Sequence, residues 1–359
     1  MSCAGLVPVM ALAERAGLSE LISSKVAITT TRVASAAVNP AGKLTSIIAG
    51  MVAGADSIDD LDVIRSGGMP RLFGGVYACS TLGLFLREFT HGHTRQLASV
   101  ARAHLVNLVE RSGLLPGIDE QAFIDIDSLL RPVYGHTKQG ASFGHTKIAG
   151  RQVLRKGLSP LATTISTADG APVVAGIRLR AGRAGSGKGA ASMVREAIGT
   201  ARAAGASGQI LVRGDSAYGN SAMVGACVQA GVRFSVGLTK NRAVHRAIAT
   251  ITDDAWTPVH YPGAVLDPDT GELISDAEVA EVAFTAFAST AHPVTARLVV
   301  RRVRDRARLA ELFPVWRYHP FLTNSGEKTA DADITHRRHA IIETVFADLI
   351  DGPLAHLPS

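Results

Sequence analysis

Residues 208–220 read GQILVRGDSAYGN, a short apolar run that delivers Arg213-Gly214-Asp215-Ser216 and then the start of a helix. Ile210–Val212 has the composition of a buried strand, and the Gly-Asp-Ser that follows carries turn chemistry. Asp215 is therefore either a turn residue or a charge set at the carboxyl end of a strand for use. Two other segments give the second reading its weight. One is Ile124-Asp125-Ile126-Asp127-Ser128, and the other is Glu343 within THRRHAIIETVFADLI at 335–350. Three separated carboxylates in such settings suggest a divalent-metal site for phosphoryl transfer.

Outward from that stretch, Ala122–Ile126, 142–153, Leu161–Ser166 and Pro172–Leu179 read as strands, before a helix from about Lys188 to Ala204. Downstream come a helix over Ser221–Ala230 and a strand over Arg233–Leu238. Several strands followed by helix–strand alternation predict an α/β layer fold with a mixed sheet. Residues 252–325 turn β-rich and loopy, with Asp-Pro-Asp-Thr-Gly turn chemistry and the strand-like ARLVVRRV and VWRYHPFLT. The expected layout is a helical region over 1–117, the first part of the core over 118–251, a β-rich insertion over 252–325 and a last core helix within 326–359. In the first region Asp56, Asp59, Asp60 and Asp62 suit a helix start. Ser80–Gly113 reads as two amphipathic helices carrying Arg87, Arg95, Arg102 and Arg111. That is either a packed subdomain with solvated arginines or a DNA-contacting module.

With 359 residues and 47% apolar content the chain can bury a large core. Its net charge of +6 and pI near 9.4 lean modestly towards polyanionic partners. Three cysteines without CxxC spacing exclude a disulfide framework and a cysteine zinc site. The first residues have no basic leader, and the apolar stretch Leu44–Ala55 is too short to span a bilayer. A cytoplasmic protein without a membrane partner is expected.

The alternation of IDID puts Asp125 and Asp127 on one strand face, and spacing alone does not choose between them. Around a helix at 100° per residue, Ile341, Ile342, Val345, Phe346 and Leu349 form the apolar stripe, and Glu343 falls opposite with His336 and His339. Hard cations prefer carboxylate oxygens, so two aspartates after strands and a glutamate on a late helix suit a pair of Mg²⁺ or Mn²⁺ ions. Just after the first aspartates, Tyr134-Gly-His-Thr-Lys138 is echoed by Phe143-Gly-His-Thr-Lys147. His136, Lys138, His145 and Lys147 thus form a basic edge suited to phosphates.

The order IDID, VRGDSAYGN and HRRHAIIETVFADL resembles the DDE transposases of bacterial insertion sequences, in the branch with a β-rich insertion between the second Asp and the Glu. The resemblance extends over roughly 120–359, and the helical 1–117 looks like the amino-terminal part of that group. It implies a ribonuclease-H-like core flanked by helices, two divalent metals, and cleavage and strand transfer at transposon ends. It further implies double-stranded DNA partners, terminal repeats and target, and a dimer on DNA. By position Asp127 is the first catalytic Asp, with Asp125 its rival, then Asp215 and Glu343. Related enzymes often carry Tyr-x2-Arg-x3-Glu-x6-Lys, where this chain has His336, His339, Glu343 and Ile350, with Arg337 and Arg338 near enough to substitute as phosphate contacts. An insertion aromatic in such enzymes stacks on a flipped base, a role that falls to Trp316. Trp256, Tyr261, Tyr318 and His319 are alternatively the insertion's own small core. The chain ends soon after Glu343, where such transposases continue into further helices, so a truncated copy is expected.

Three other readings compete. Gly182–Gly189 nearly spells a nucleotide-binding P-loop but lacks the hydroxyl after Lys188. His336, His339 and Glu343 share zinc-like spacing without a fourth ligand. A non-catalytic DNA-binding remnant of a transposase would keep the basic surface and lose the metal dependence.

Overall fold

The computed structural model describes residues 3–29, 37–66, 76–135, 138–148, 151–259, 277–304, 315–352 and 355. His136, Tyr261, the Asp-Pro-Asp-Thr-Gly turn and the side chain of Lys147 lie outside what it describes.

The amino-terminal part is helical: α1 (Leu6–Arg15), α2 (Leu18–Lys25), α3 (Pro40–Val52), α4 (Cys79–Arg87) and α5 (His91–Ser112). The run of aspartates expected to start a helix instead enters a 3₁₀ segment, Asp59–Arg65. Helix α5 starts where the Thr90 amide donates to His93 Nδ1 at 2.9 Å, and it stops at Gly113, whose φ of 64° suits a glycine cap. Its arginines divide. Arg87 and Arg111 are exposed, whereas Arg95 and Arg102 donate to Glu196 at 2.5 and 2.9 Å, beside Arg178 at 3.0 Å. These two arginines join the helical part to the core.

In strand β1 (Gln121–Ser128), Ala122, Ile124 and Ile126 sink into the main core, while Phe123, Asp125 and Asp127 take the opposite face. After β2 (Arg131–Pro132), strands β3 (Ser142–Ile148) and β4 (Arg151–Ser166) form a long hairpin. The second half of β4 pairs antiparallel with both β1 and β5 (Val173–Ala181). Helix α6 (Ala190–Ala203) then crosses to β6 (Gln209–Gly214), parallel to β1, and α7 (Ser221–Gln229) crosses to β7 (Arg233–Gly237), parallel to β6. Met193, Val194, Ala197, Met223 and Val224 fill the core on the Ile124 side. The local order is β5-β4-β1-β6-β7, three antiparallel strands followed by two parallel ones.

Beyond helix α8 (Arg242–Ile248), β8 (Thr257–Pro258), β9 (Ala277–Ala286), β10 (Val294–Arg304) and β11 (Trp316–Thr323) extend this same sheet. Strand β11 pairs antiparallel with β7, with Phe321 opposite Gly237, and β10, β9 and β8 follow. The last segment is not one helix. Helix α9 (Thr329–Arg337) gives way to a 3₁₀ turn, Arg338–Ala340, before α10 (Ile341–Ile350). The expected helical wheel therefore breaks between His336 and Glu343. Of its apolar stripe, Ile342, Val345 and Phe346 are buried, while Ile341 is exposed. No helix among the described residues is long and apolar enough to cross a membrane.

Candidate active site

In the pairing of β1 with β6, Ile126 stands opposite Gly214, so Asp127 and Asp215 emerge level at the carboxyl ends of adjacent parallel strands. The Asp127 Oδ1 accepts the Ser128 amide at 2.6 Å, and Asp215 Oδ1 accepts the Ala217 amide at 2.9 Å in an Asx turn. That turn lies against the end of β7 because residue 237 is glycine. A Cβ there would stand 2.7 Å from the Ser216 nitrogen. Asn220 then accepts the Met223 amide at 3.1 Å and opens α7. Buried Tyr218 donates to Ser128 Oγ at 2.9 Å beneath both aspartates, and burial raises its phenol well above the usual range.

Glu343 sits exposed in the first turn of α10. Its neighbour Ile342 and Phe346 pack on Ala162, the β4 residue that pairs with Asp127. The helix is thereby laid beside the end of β1. Electrostatics tie the three together. Burial pushes the Asp127 carboxyl up to about 6; the Ser128 amide opposes this, and the negative charges of Asp215 and Glu343 add to it. Two remote carboxylates thus raise the proton affinity of a third, which a bound cation would relieve. Among the described residues no three His, Cys, Asp or Glu side chains stand as a ready-made ligand set for one ion. The site brings like charges within each other's field without closing them together.

Asp125 has a different fate. It is fully buried and meets Arg213 in two parallel bonds, Nε to Oδ1 at 2.7 Å and Nη2 to Oδ2 at 2.8 Å. Burial raises its carboxyl above the usual range, and the paired guanidinium opposes that rise. Arg213 also lies over the Phe123 ring at 4.4 Å and donates to the Thr335 carbonyl at 3.0 Å, so the pair ties β1 and β6 to α9.

The expected phosphate contacts divide likewise. His336 is interior: it stacks on Phe321 with ring centroids 4.1 Å apart, and its Nδ1 lies 3.0 Å from Ser235 Oγ. Burial drives its imidazole down to about 3, so it is a neutral packing group rather than a protonated phosphate contact. His339 is half-buried, with Nδ1 2.6 Å from the His336 carbonyl. With these nitrogens engaged and Glu343 on a separate helix, the zinc-like spacing does not assemble. Arg337 and Arg338 are exposed. Lys138 is half-buried and His145 exposed, the latter on the β3–β4 hairpin. Trp316 lies on the sheet face opposite His319 and Phe321, by strand alternation. There Arg302 is sandwiched between Trp316 and Trp256, at 4.4 and 4.2 Å. Trp316 is thus committed to the extension's own packing.

The P-loop-like turn has reversed polarity. Arg180 Nη1 donates to the carbonyls of Gly185, Ser186 and Lys188 at 3.3, 2.9 and 2.8 Å, so the loop cradles a cation. A phosphate-binding loop presents amides instead.

Sequence reasoning missed one cleft, of about 290 Å³, beside Asp215. It is walled by the ends of β6 and β7, by β11 and by α9, and Lys240, Arg301, His319 and Arg337 line it. These basic residues lie far apart in sequence; the pairing of β10 with β11 sets Arg301 opposite His319.

The family model described as transposase DDE domain group 1 matches residues 1–338. It contains Asp127 and Asp215, and Glu343 follows just after. No curated protein matches the chain.

Proposed function

The chain belongs to the DDE transposase family, and from that premise we propose that it is a polynucleotidyl transferase that cleaves and joins DNA strands at the ends of an insertion sequence. The single observation that carries this reading is the level emergence of Asp127 and Asp215 on adjacent parallel strands, with the Glu343 charge felt at Asp127. The order β5-β4-β1-β6-β7, with helices crossing between β5, β6 and β7, supports a ribonuclease-H-like core.

The oxygen-only donors and their mutual repulsion fit hard divalent ions, Mg²⁺ or Mn²⁺, with Asp127, Asp215 and Glu343 as the residues that would hold them. When bound, a pair of such ions supplies activation of an attacking hydroxyl and stabilisation of the leaving oxygen. The remaining work belongs to the protein. The Ser128 amide orients Asp127, the Asx turn orients Asp215, and the Ile342–Phe346 anchor fixes the helix carrying Glu343. Asp125 and Arg213 act beneath them as a positioning pair. The hairpin, with Lys138 and His145 at or near it, and Arg337 and Arg338 are the surfaces offered to double-stranded DNA. Two copies pair on two terminal repeats, in the cytoplasm.

The test is cleavage of DNA bearing the element's own terminal repeats, with Mg²⁺ and in EDTA, for the wild type and Asp215→Ala. Metal-dependent cleavage abolished by the substitution is expected. Binding without cleavage by the wild type favours the non-catalytic DNA-binding remnant, and cleavage indifferent to Asp215→Ala refutes the triad.

A further inference from the structure

We infer that two copies of this chain associate through their amino-terminal helices, each presenting to the other the apolar groove between α1, α2, α3, α4 and α5. This gives a place to the pairing of copies in the proposed function, and it needs neither DNA nor metal. The groove holds about 600 Å³, and eighteen residues line it, all apolar but His104. It is open to solvent. Val9 of α1, Met51 and Val52 of α3 and Leu86 of α4 stand on its wall and are 46, 45, 50 and 37% exposed. Soluble chains rarely leave apolar side chains from several elements together in water. A small molecule inside the cavity would still leave those four in water, so the occupant that suits them is a macromolecular surface.

Charge selects which surface. The charged residues of α1, α2 and α4 with its cap are Glu14, Arg15, Glu20, Lys25, Arg87 and Glu88, all exposed except the half-buried Glu88. Three are acidic and three basic, so this flank is neutral, unlike a face built for a polyanion. A two-fold contact sets one patch against itself, and a flank of one sign would repel its copy. Equal numbers of each sign let acid meet base. Size agrees as well: stable interfaces engage about 20–30 residues a side, and the wall with these flanking charges falls in that range. Helix α5 ties the contact to the core. Its Leu105 and Val109 pack into the main core, while Leu97, Val100 and Leu108 line the groove, whose wall includes no residue of β1, β6 or α10.

The test is sedimentation equilibrium of the full chain in EDTA, without DNA, across micromolar concentrations. The wild type is expected at twice its 37.5 kDa. Val52→Glu and Met51→Lys, of opposite charge and at exposed positions, are each expected to weaken association at least about tenfold at unchanged urea midpoint, because either charge would lose its water in the contact. Leu179→Glu, at an exposed apolar position on β5 outside the groove, leaves association unchanged. A monomeric wild type overturns the inference, as do groove variants that associate as the wild type does. Association by the wild type without any Mg²⁺-dependent cleavage of terminal-repeat DNA supports the groove and refutes the catalytic reading. Cleavage by a wild type that stays monomeric without DNA refutes the groove alone.

Discussion

Asp127→Asn removes a charge that burial and two like-charged neighbours burden, and its consequence is worked from the site. The folded-state carboxyl titrates near about 6 because of burial, Asp215 and Glu343, against about 3.9 in an unfolded chain. Between those values the folded protein binds the extra proton, so this group's contribution to stability is present at low pH and lost as pH rises through about 4 to 6. A tenfold change in proton affinity is worth roughly 1.4 kcal/mol, so at pH 7.5 the ionised carboxylate costs about 3 kcal/mol relative to its unfolded reference. Asparagine keeps an oxygen for the Ser128 amide and carries no charge. In EDTA the variant is expected to be more stable than the wild type by about 1–3 kcal/mol at pH 7.5, with the difference vanishing near pH 4. Urea denaturation at the two pH values reads this directly. Added Mg²⁺ stabilises the wild type and not the variant, the usual exchange of stability for function at a charged site. A variant that is equally stable or less stable at pH 7.5, or a difference that does not depend on pH, refutes the claim that the carboxylates strain one another.

Arg213→Ala leaves Asp125 as an uncompensated buried charge and is expected to destabilise by about 3–5 kcal/mol in urea; Asp125→Asn with Arg213→Met recovers most of that. His336→Phe keeps the stack on Phe321. Because the imidazole is held near about 3 in the folded state and titrates near about 6.5 when unfolded, its contribution is lost as pH falls through that window. The variant accordingly resists acid unfolding better than the wild type between about pH 6 and 3, as circular dichroism against pH will show. Glu196→Gln releases Arg95 and Arg102, so amide exchange over His91–Ser112 should rise several-fold while that of β1 stays unchanged. Gly237→Ala presses a methyl group on the Ser216 nitrogen and is expected to lower cleavage at least tenfold with little change in urea midpoint, since only the Asp215 turn has to move.

The strand at 121–128, the helix–strand alternation through 190–237 and the β character of the later segment were legible because each depends on local chemistry: apolar runs of strand length, helix caps such as Asn220, and glycine turns. The same locality explains the failures. A helical wheel drawn through His336 and Glu343 assumes an unbroken helix, and the turn at Arg338–Ala340 carries no glycine or proline to announce it. Arg95 and Arg102 look like solvated helix charges until Glu196 arrives from another element. The loop at 182–189 has nearly the right letters for phosphate, but Arg180 turns its carbonyls inward.

By itself, then, the sequence determined where carboxylates stand relative to strand ends, because period-two alternation and turn residues act over a few positions. It placed Asp125 and Asp127 on one face and went no further. Only the tertiary structure separated them: the parallel register of β1 and β6 sets Arg213 beside Asp125 and Asp215 beside Asp127. A buried guanidinium neutralises the first carboxylate and leaves the second to its like-charged neighbours. Such a division depends on which charges meet across distant segments, which residue spacing along one chain does not encode.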